Sequence, residues 1–315
     1  MDRQTSHAEA QKITSTDWLL VAIPGIIWGA SFLFIAEGLK SVAPNGVTFT
    51  RIFVGFLTLA LFPAARKAID RSAWPGIALL GVLWFAFPLS MFPFAEQHVS
   101  SALTGMLNAV TPIFVAIVAT GIARKAPSKR VLFGLLTGVT GSVLVALPSV
   151  SEGRSSTVGV VLILLASMSY GFALNIARPL QQKYGALPVI WRALGVAVML
   201  TIPLGLPAIA TAHWKLEPLL CLLTLGAFGT GIAFVLLAIA AGRVGATRAS
   251  AAAFLMPPVS LLLGIVVRGE HVALLSIIGS AVCVAGAWMI RPRAVATPES
   301  KPAKLVPCPE GVARN

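Results

Sequence analysis

Charge is what this sequence has least of. Only 11% of its 315 residues are Asp, Glu, Lys or Arg, against about a quarter in an average soluble protein. With 57% hydrophobic residues and a mean hydropathy of +0.88, the chain cannot cover a water-facing surface. Acids are the scarcer sign, 11 against 24 Lys and Arg, and none stands near the centre of an apolar run. Many proton-driven carriers trade a central carboxylate against a proton; here only Glu37 and Glu96, at run ends, can do so. The three cysteines, Cys221, Cys283 and Cys308, have no metal-ligand spacing and read as reduced and structural. There is no Walker loop, no pair of catalytic carboxylates and no Ser/His/Asp set. These absences argue against an ATP-driven pump made of this chain alone and against an enzyme, and they imply no metal or cofactor.

What the sequence has instead is long apolar stretches. Uncharged runs cover 18–36, 74–95, 99–123, 131–150, 158–177, 218–242, 249–267 and 272–290; 44–65 and 185–210 are interrupted only by Arg51 and Arg192. Each is near the roughly 20 residues that cross a hydrocarbon core. The expected fold is therefore an all-α integral membrane protein with ten transmembrane helices. The first run is longer than a signal-peptide core and is read as a retained helix. The net charge of +13 is a matter of distribution and not of nucleic-acid binding. With the N-terminus in the cytoplasm, eighteen of the 24 basic residues fall on the cytoplasmic side. Lys40, Arg154, Lys215 and Arg268 fall opposite. The positive-inside rule fits this orientation, with both termini cytoplasmic, and rejects its inverse. The expected location is a plasma (inner) membrane.

The chain also repeats itself. A shift of 145 lays Pro112 on Pro257, Gly134 on Gly279 and Gly141 on Gly286; a slightly smaller one lays Trp28-Gly29 on Tyr170-Gly171 and Arg51 on Arg192. The halves are 17–150 and 158–291, flanked by a cytoplasmic tail at 1–16 and a Pro-, Ala- and Lys-rich extension at 292–315, read as disordered. Five helices per half is an odd number, so the second half enters from the other side: two inverted five-helix repeats. Sites in such folds lie near the midplane, beside broken helices. Pro112 and Pro257 are expected to kink the fourth and ninth helices where these face a cavity.

Several side chains are candidates for that cavity. A charge in mid-membrane costs at least ~2.5 kcal/mol, which singles out Arg51 and Arg192. Either could meet a substrate anion; equally, each lies seven or eight residues into its run, about 10–12 Å at ~1.5 Å per residue, and could snorkel to loop carbonyls. Asn108, four residues before Pro112, and Asn175 could bind substrate or a neighbouring helix. Ser31 and Thr111 are small hydroxyl residues that suit cavity lining or packing. Trp28, Trp84 and Tyr170 fall too deep for interface belts and suit the walls of a pocket. Glu96-Gln97-His98 is the most polar knot beside the third and fourth helices, and Glu96 with His98 is a candidate proton-linked gate. Gly134, Gly138, Gly141, Gly279 and Gly286 suit close helix approach, within the chain or in a homodimer.

These residues bear a resemblance. Ile27-Trp28-Gly29-Ala30-Ser31-Phe32, Thr50-Arg51-Ile52-Phe53, Ala109-Val110-Thr111-Pro112-Ile113-Phe114, Leu255-Met256-Pro257-Pro258-Val259, Gly269-Glu270 and Ile278-Gly279 resemble the EamA family of the drug/metabolite transporter superfamily over about 17–291. The resemblance implies ten helices, cytoplasmic termini and inner-membrane transport of small metabolites, commonly the export of amino acids or related compounds. One departure is visible: where the second half has Gly269-Glu270, the first has Arg124-Lys125. The expected function is secondary transport by alternating access, with a small-molecule substrate and membrane lipid as partners. The alternatives are a flippase for lipid or a lipid-linked carrier, and a membrane-embedded enzyme.

Overall fold

The computed structural model describes residues 15–124, 126–151, 156–268 and 273–290. The expected tails at 1–16 (but for residues 15 and 16) and 292–315, Lys125, Gly269-Glu270 and Cys308 lie outside them. All regular structure among the described residues is helical. In chain order the segments are α1 (Leu19–Gly38), α2 (Pro44–Ala60), α3 (Arg71–Ala95), α4 (Leu103–Ala123, preceded by one cap turn), α5 (Lys129–Ser151), α6 (Thr157–Tyr184), α7 (Ala186–Ala210), α8 (Leu216–Val244), α9 (Ala246–Val267) and α10 (Leu274–Ile290). Seven of them, α1, α3, α4, α6, α7, α8 and α9, are long and apolar enough to cross a membrane.

Local sequence sets the ends. Pro44 opens α2 after the extended Ala43, a place where its missing N–H costs nothing. Ser100 caps α4 by accepting from Leu103 N at 3.2 Å. Gly185 and Gly245 stand alone between consecutive helices with φ of 85° and 90°, a left-handed geometry that favours glycine.

The prolines break their helices instead of kinking them. The first part of α4 ends at Asn108, and a new helix runs Thr111–Ala123 with Pro112 in its first turn. In α9 a 3-10 stretch, Ser250–Leu255, precedes the helix Met256–Arg268, with Pro257 in its first turn. A first-turn proline needs no N–H partner, so a fresh start is cheaper than a bent ladder. α3 and α8 each contain a π-helical segment, Gly81–Ala86 and Leu225–Ile232. With the shift of 145, Gly81 falls on Gly226.

The halves interlock pairwise. A Cβ on Gly29 of α1 would stand 2.5 Å from Val259 Cβ of α9, and one on Gly171 of α6 would stand 2.9 Å from Phe114 of α4. A Cβ on Gly226 of α8 would meet α2 (Val54 Cβ 2.5 Å, Arg51 O 3.0 Å), and one on Gly81 of α3 would meet α7 (Val196 Cγ1 2.7 Å, Ala193 O 2.9 Å). A Cβ on Gly141 of α5 would stand 2.7 Å from Gly279 O of α10, so the glycine stripes meet within the chain. These are the pairings that an exchange of the two halves would preserve. Around them the outer face is apolar: Phe133, Met199, Leu204 and Ile277 are exposed, as a lipid-facing surface requires.

Candidate functional site

The breaks in α4 and α9 leave a cavity between the halves. Trp28 and Ser31 of α1, Arg51 of α2, Trp84 of the α3 π segment, Asn108 and Thr111 at the α4 break, and Tyr170 of α6 all line it. Ser250, Ala252, Ala253 and Met256 line it from the α9 break, and Phe234 and Leu237 from α8. Pro112 and Pro257 set the breaks without lining the cavity. It holds about 50 Å³ open to the centre of a water-sized sphere, room for a few waters. A metabolite would need its walls to move.

The walls are aromatic. Phe234 takes Trp28 edge-on at 5.0 Å between ring centres and Trp84 at 5.5 Å; Phe92 lies against Tyr170 at 6.0 Å. The indole of Trp28 is fixed by donating Nε1–H to Gly229 O at 2.7 Å. That carbonyl belongs to the α8 π segment, where the i→i+5 pattern shifts groups off the regular ladder. Thr230, one residue on, accepts from Arg51 Nε at 3.1 Å and donates to Leu225 O at 3.2 Å, five residues back. Arg51 is 3% exposed, and that is its one hydrogen bond among the described residues. It also interacts electrostatically with Tyr170 and Glu96.

Asn108 holds the α4 break. Its Oδ1 accepts from Thr111 Oγ1 at 3.0 Å and from Ser167 Oγ at 3.2 Å, and its Nδ2 faces Met256 Sδ at 3.4 Å. The residue thus ties α4 to α6 and to α9. It lines the cavity with its hydrogen-bonding oxygen already filled.

Three candidates lie elsewhere. Arg192 donates from Nη1 to Ala65 O (3.0 Å) and Pro188 O (3.2 Å), and from Nη2 to Lys67 O (2.9 Å). It fastens α7 to the α2–α3 connection, as the snorkelling alternative anticipates. Asn175 donates to Val115 O (3.1 Å) and Gly171 O (2.8 Å), joining α6 to α4. His98 is exposed, and its carbonyl accepts from Ser156 N.

Glu96 is parted from His98. It lines a wider vestibule of about 660 Å³ with Lys40, Ser41 and His213. Phe92 lines the cavity and Glu96, one turn along, the vestibule; Ile35 and Ala36 divide in the same way. The two spaces are therefore neighbours. His213 donates its backbone N–H to Ser41 O at 3.0 Å.

Sequence reasoning missed Thr230, Phe234 and His213. The run Gly226-Ala227-Phe228-Gly229-Thr230-Gly231 carries a signal, since three glycines in six residues mark close backbone approach. Nothing in the sequence marks Phe234.

At the far end from the vestibule, Arg243 pairs with the buried Asp17 at 2.7 Å. The Asp70 carboxylate accepts from Tyr184 Oη at 2.8 Å and from Lys183 Nζ at 3.1 Å. Those bonds, Tyr184 first, hold the Asp70 carboxyl below its ordinary pKa.

Comparison with known proteins places this arrangement. The model of the EamA-like transporter family matches residues 17–147 and again 157–291. The chain is 27% identical over 266 residues to the uncharacterized transporter YdfC of Bacillus subtilis, covering 82% of this chain and 86% of that one. It is 26% identical over 289 residues to a probable terminal-alkyne amino-acid exporter of Streptantibioticus cattleyicolor, covering 90% and 95%. It is 28% identical over 254 residues to the uncharacterized inner membrane transporter YedA of Escherichia coli K12, covering 78% and 80%. One solved crystal structure is similar with a TM-score of 0.67 at 17% identity, covering 87% of this chain and 96% of its own. At that identity the likeness shows the fold alone.

Proposed function

Because the chain belongs to the EamA-like transporter family, and is thus a multi-pass membrane transporter of the drug/metabolite type, we propose that it exports small metabolites, such as amino acids or related compounds, by alternating access. In this reading α2, α5 and α10 cross the membrane with the other seven helices, giving two inverted five-helix repeats. The 17 residues of α2 and of α10 rise about 26 Å at ~1.5 Å per residue, close to the ~30 Å of a hydrocarbon core. The bias of Lys and Arg supports a cytoplasmic position for both termini in this reading. The vestibule then opens outward, and the Asp17–Arg243 end faces the cytoplasm.

The observation that carries the reading is the cavity itself. It lies where both halves meet, beside two broken helices, with one buried guanidinium on its wall. Seated on interfaces between the repeats, its walls can part toward either side as the halves rock.

The test compares small-molecule pools inside cells and in their medium. The protein is overproduced, deleted, or replaced by Arg51→Ala at equal membrane level. One class of metabolite should leave cells only with the intact protein. Pools unchanged in every strain would overturn the export reading, and labelled lipid would be the next solute tried.

A further inference from the structure

We infer that the solute this cavity accommodates is an organic monoanion with a flat apolar body, a carboxylate without an amino group, in preference to a zwitterion or a cation. The inference rests on the transport reading above and narrows its substrate class from amino acids and related compounds to the related carboxylates that lack the amino group.

The charge inventory comes first. Among the described residues lining the cavity, Arg51 carries the one full charge, and no carboxylate, lysine or histidine joins it. A guanidinium offers five N–H donors in a fixed fork, and Arg51 uses one of them, on the neutral Thr230. A buried cation so sparsely bonded favours an anion beside it. Tyr170 adds a further donor: its phenol also lines the cavity and makes no hydrogen bond among the described residues.

Acceptors are the second point. An ammonium needs oxygen or an anion, and the side chains lining the cavity offer it no carboxylate, only neutral oxygens such as the hydroxyls of Ser31, Thr111 and Ser250. Asn108 Oδ1 already accepts twice, and Gly229 O already accepts from Trp28. The carboxylate that senses Arg51, Glu96, lines the vestibule and not the cavity. Aromatic faces do attract ammonium groups. In so apolar a space, however, repulsion from Arg51 acts with little screening.

The body of the solute follows from the walls. Trp28, Trp84 and Phe234 meet edge to face, which shapes a slot for a ring or a branched chain. The vestibule adds a path, since Phe92 and Ile35 of the cavity wall stand one turn and one residue from its Glu96 and Ala36.

The experiment uses the full-length protein in liposomes and three radiolabelled probes with one phenyl body: phenylpyruvate (anion), phenylalanine (zwitterion) and phenethylamine (cation). Wild-type protein should exchange phenylpyruvate roughly tenfold or more faster than phenylalanine, the scale of a charge-assisted hydrogen bond gained without an unpaired ammonium, and phenethylamine least. Arg51→Gln should flatten the series, and Arg51→Lys, which keeps the charge, should preserve its order. Because the wild-type ranking needs no variant, a misfolded Arg51 protein would not leave the inference untested. Phenylalanine or phenethylamine moving as fast as phenylpyruvate would overturn the inference while leaving transport standing. No exchange of any probe would also overturn it, and the metabolite-pool comparison then tells whether transport itself fails.

Discussion

Arg51 and Arg192 stand at matching places in α2 and α7, and each helix packs on a π segment of the other half. Yet one guanidinium is buried on a cavity wall and the other is spent on loop carbonyls. The difference lies in what each meets. α8 offers Arg51 a hydroxyl at Thr230; the corresponding residue of α3, by the shift of 145, is Phe85, wholly buried in the core. With no polar partner inward, Arg192 turns to Ala65 and Lys67 at the end of the helix. A repeated framework can thus hold one copy of a residue for chemistry and the other for fastening.

The largest effect should come from exchanging the arginines' fates. Arg51→Ala should lower flux roughly 10- to 100-fold, the worth of hydrogen bonds to a charged group. Arg192→Ala should keep most of the flux and lose about 1 kcal/mol of stability, its bonds being partly open to solvent. Flux in liposomes and melting in detergent separate the two. Equal flux loss in both would end the contrast.

The π segments sharpen it next. Gly81→Val and Gly226→Val meet similar obstacles, Val196 and Val54, at 2.7 and 2.5 Å from the added Cβ. Each should cost roughly 1–3 kcal/mol of stability by overpacking. Flux should fall further for Gly226→Val, which displaces the helix carrying Arg51.

Smaller again is Thr230→Val. It removes the one bond that aims Arg51 and should change flux about fivefold, the scale of ~1 kcal/mol. Side-chain volume is retained, but Arg51 Nε and Leu225 O each lose a buried partner, so stability should fall by roughly 1–3 kcal/mol.

The smallest effect concerns Asp70. Its lowered carboxyl pKa stabilises the folded arrangement at neutral pH, and that contribution is lost as pH falls through the folded value, below the ordinary carboxylate range. Asp70→Asn should therefore loosen the α2–α3 connection at neutral pH, seen as faster proteolysis there. The difference from wild type should vanish in acid.

Much of this was legible in the sequence, and for identifiable reasons. Apolar runs announce membrane helices because lipid leaves the backbone few alternatives, and paired prolines mark where the ladder is disturbed because proline lacks an N–H, although the kink expected there is a fresh helix start. Trp28, Ser31, Arg51, Trp84, Asn108, Thr111 and Tyr170 were singled out as polar or aromatic residues at unusual depth, and they gather around one space. Asn175 and Arg192 showed the same signal and lie outside it, as does His98, which was singled out in a polar knot between two runs. Depth along a helix is readable from a sequence, but the direction in which a side chain leaves the helix depends on partners contributed by the other half. Thr230 and Phe234 were missed for a related reason. A π segment displaces groups relative to the 3.6 period, so helical spacing misjudges its faces.

The contact between α5 and α10 bears on energy conservation. Gly141 and Gly279 bring two backbones together with no side chain between them, and Ser142 and Cys283 close the same seam at 3.4 Å. A carrier works under a voltage, worth ~2.3 kcal/mol per elementary charge at 100 mV, and a persistent thread of water through it would drain that store. A seam this tight offers no such thread. The glycines thus bear on ion leakage by leaving no gap as wide as a side chain between these two helices.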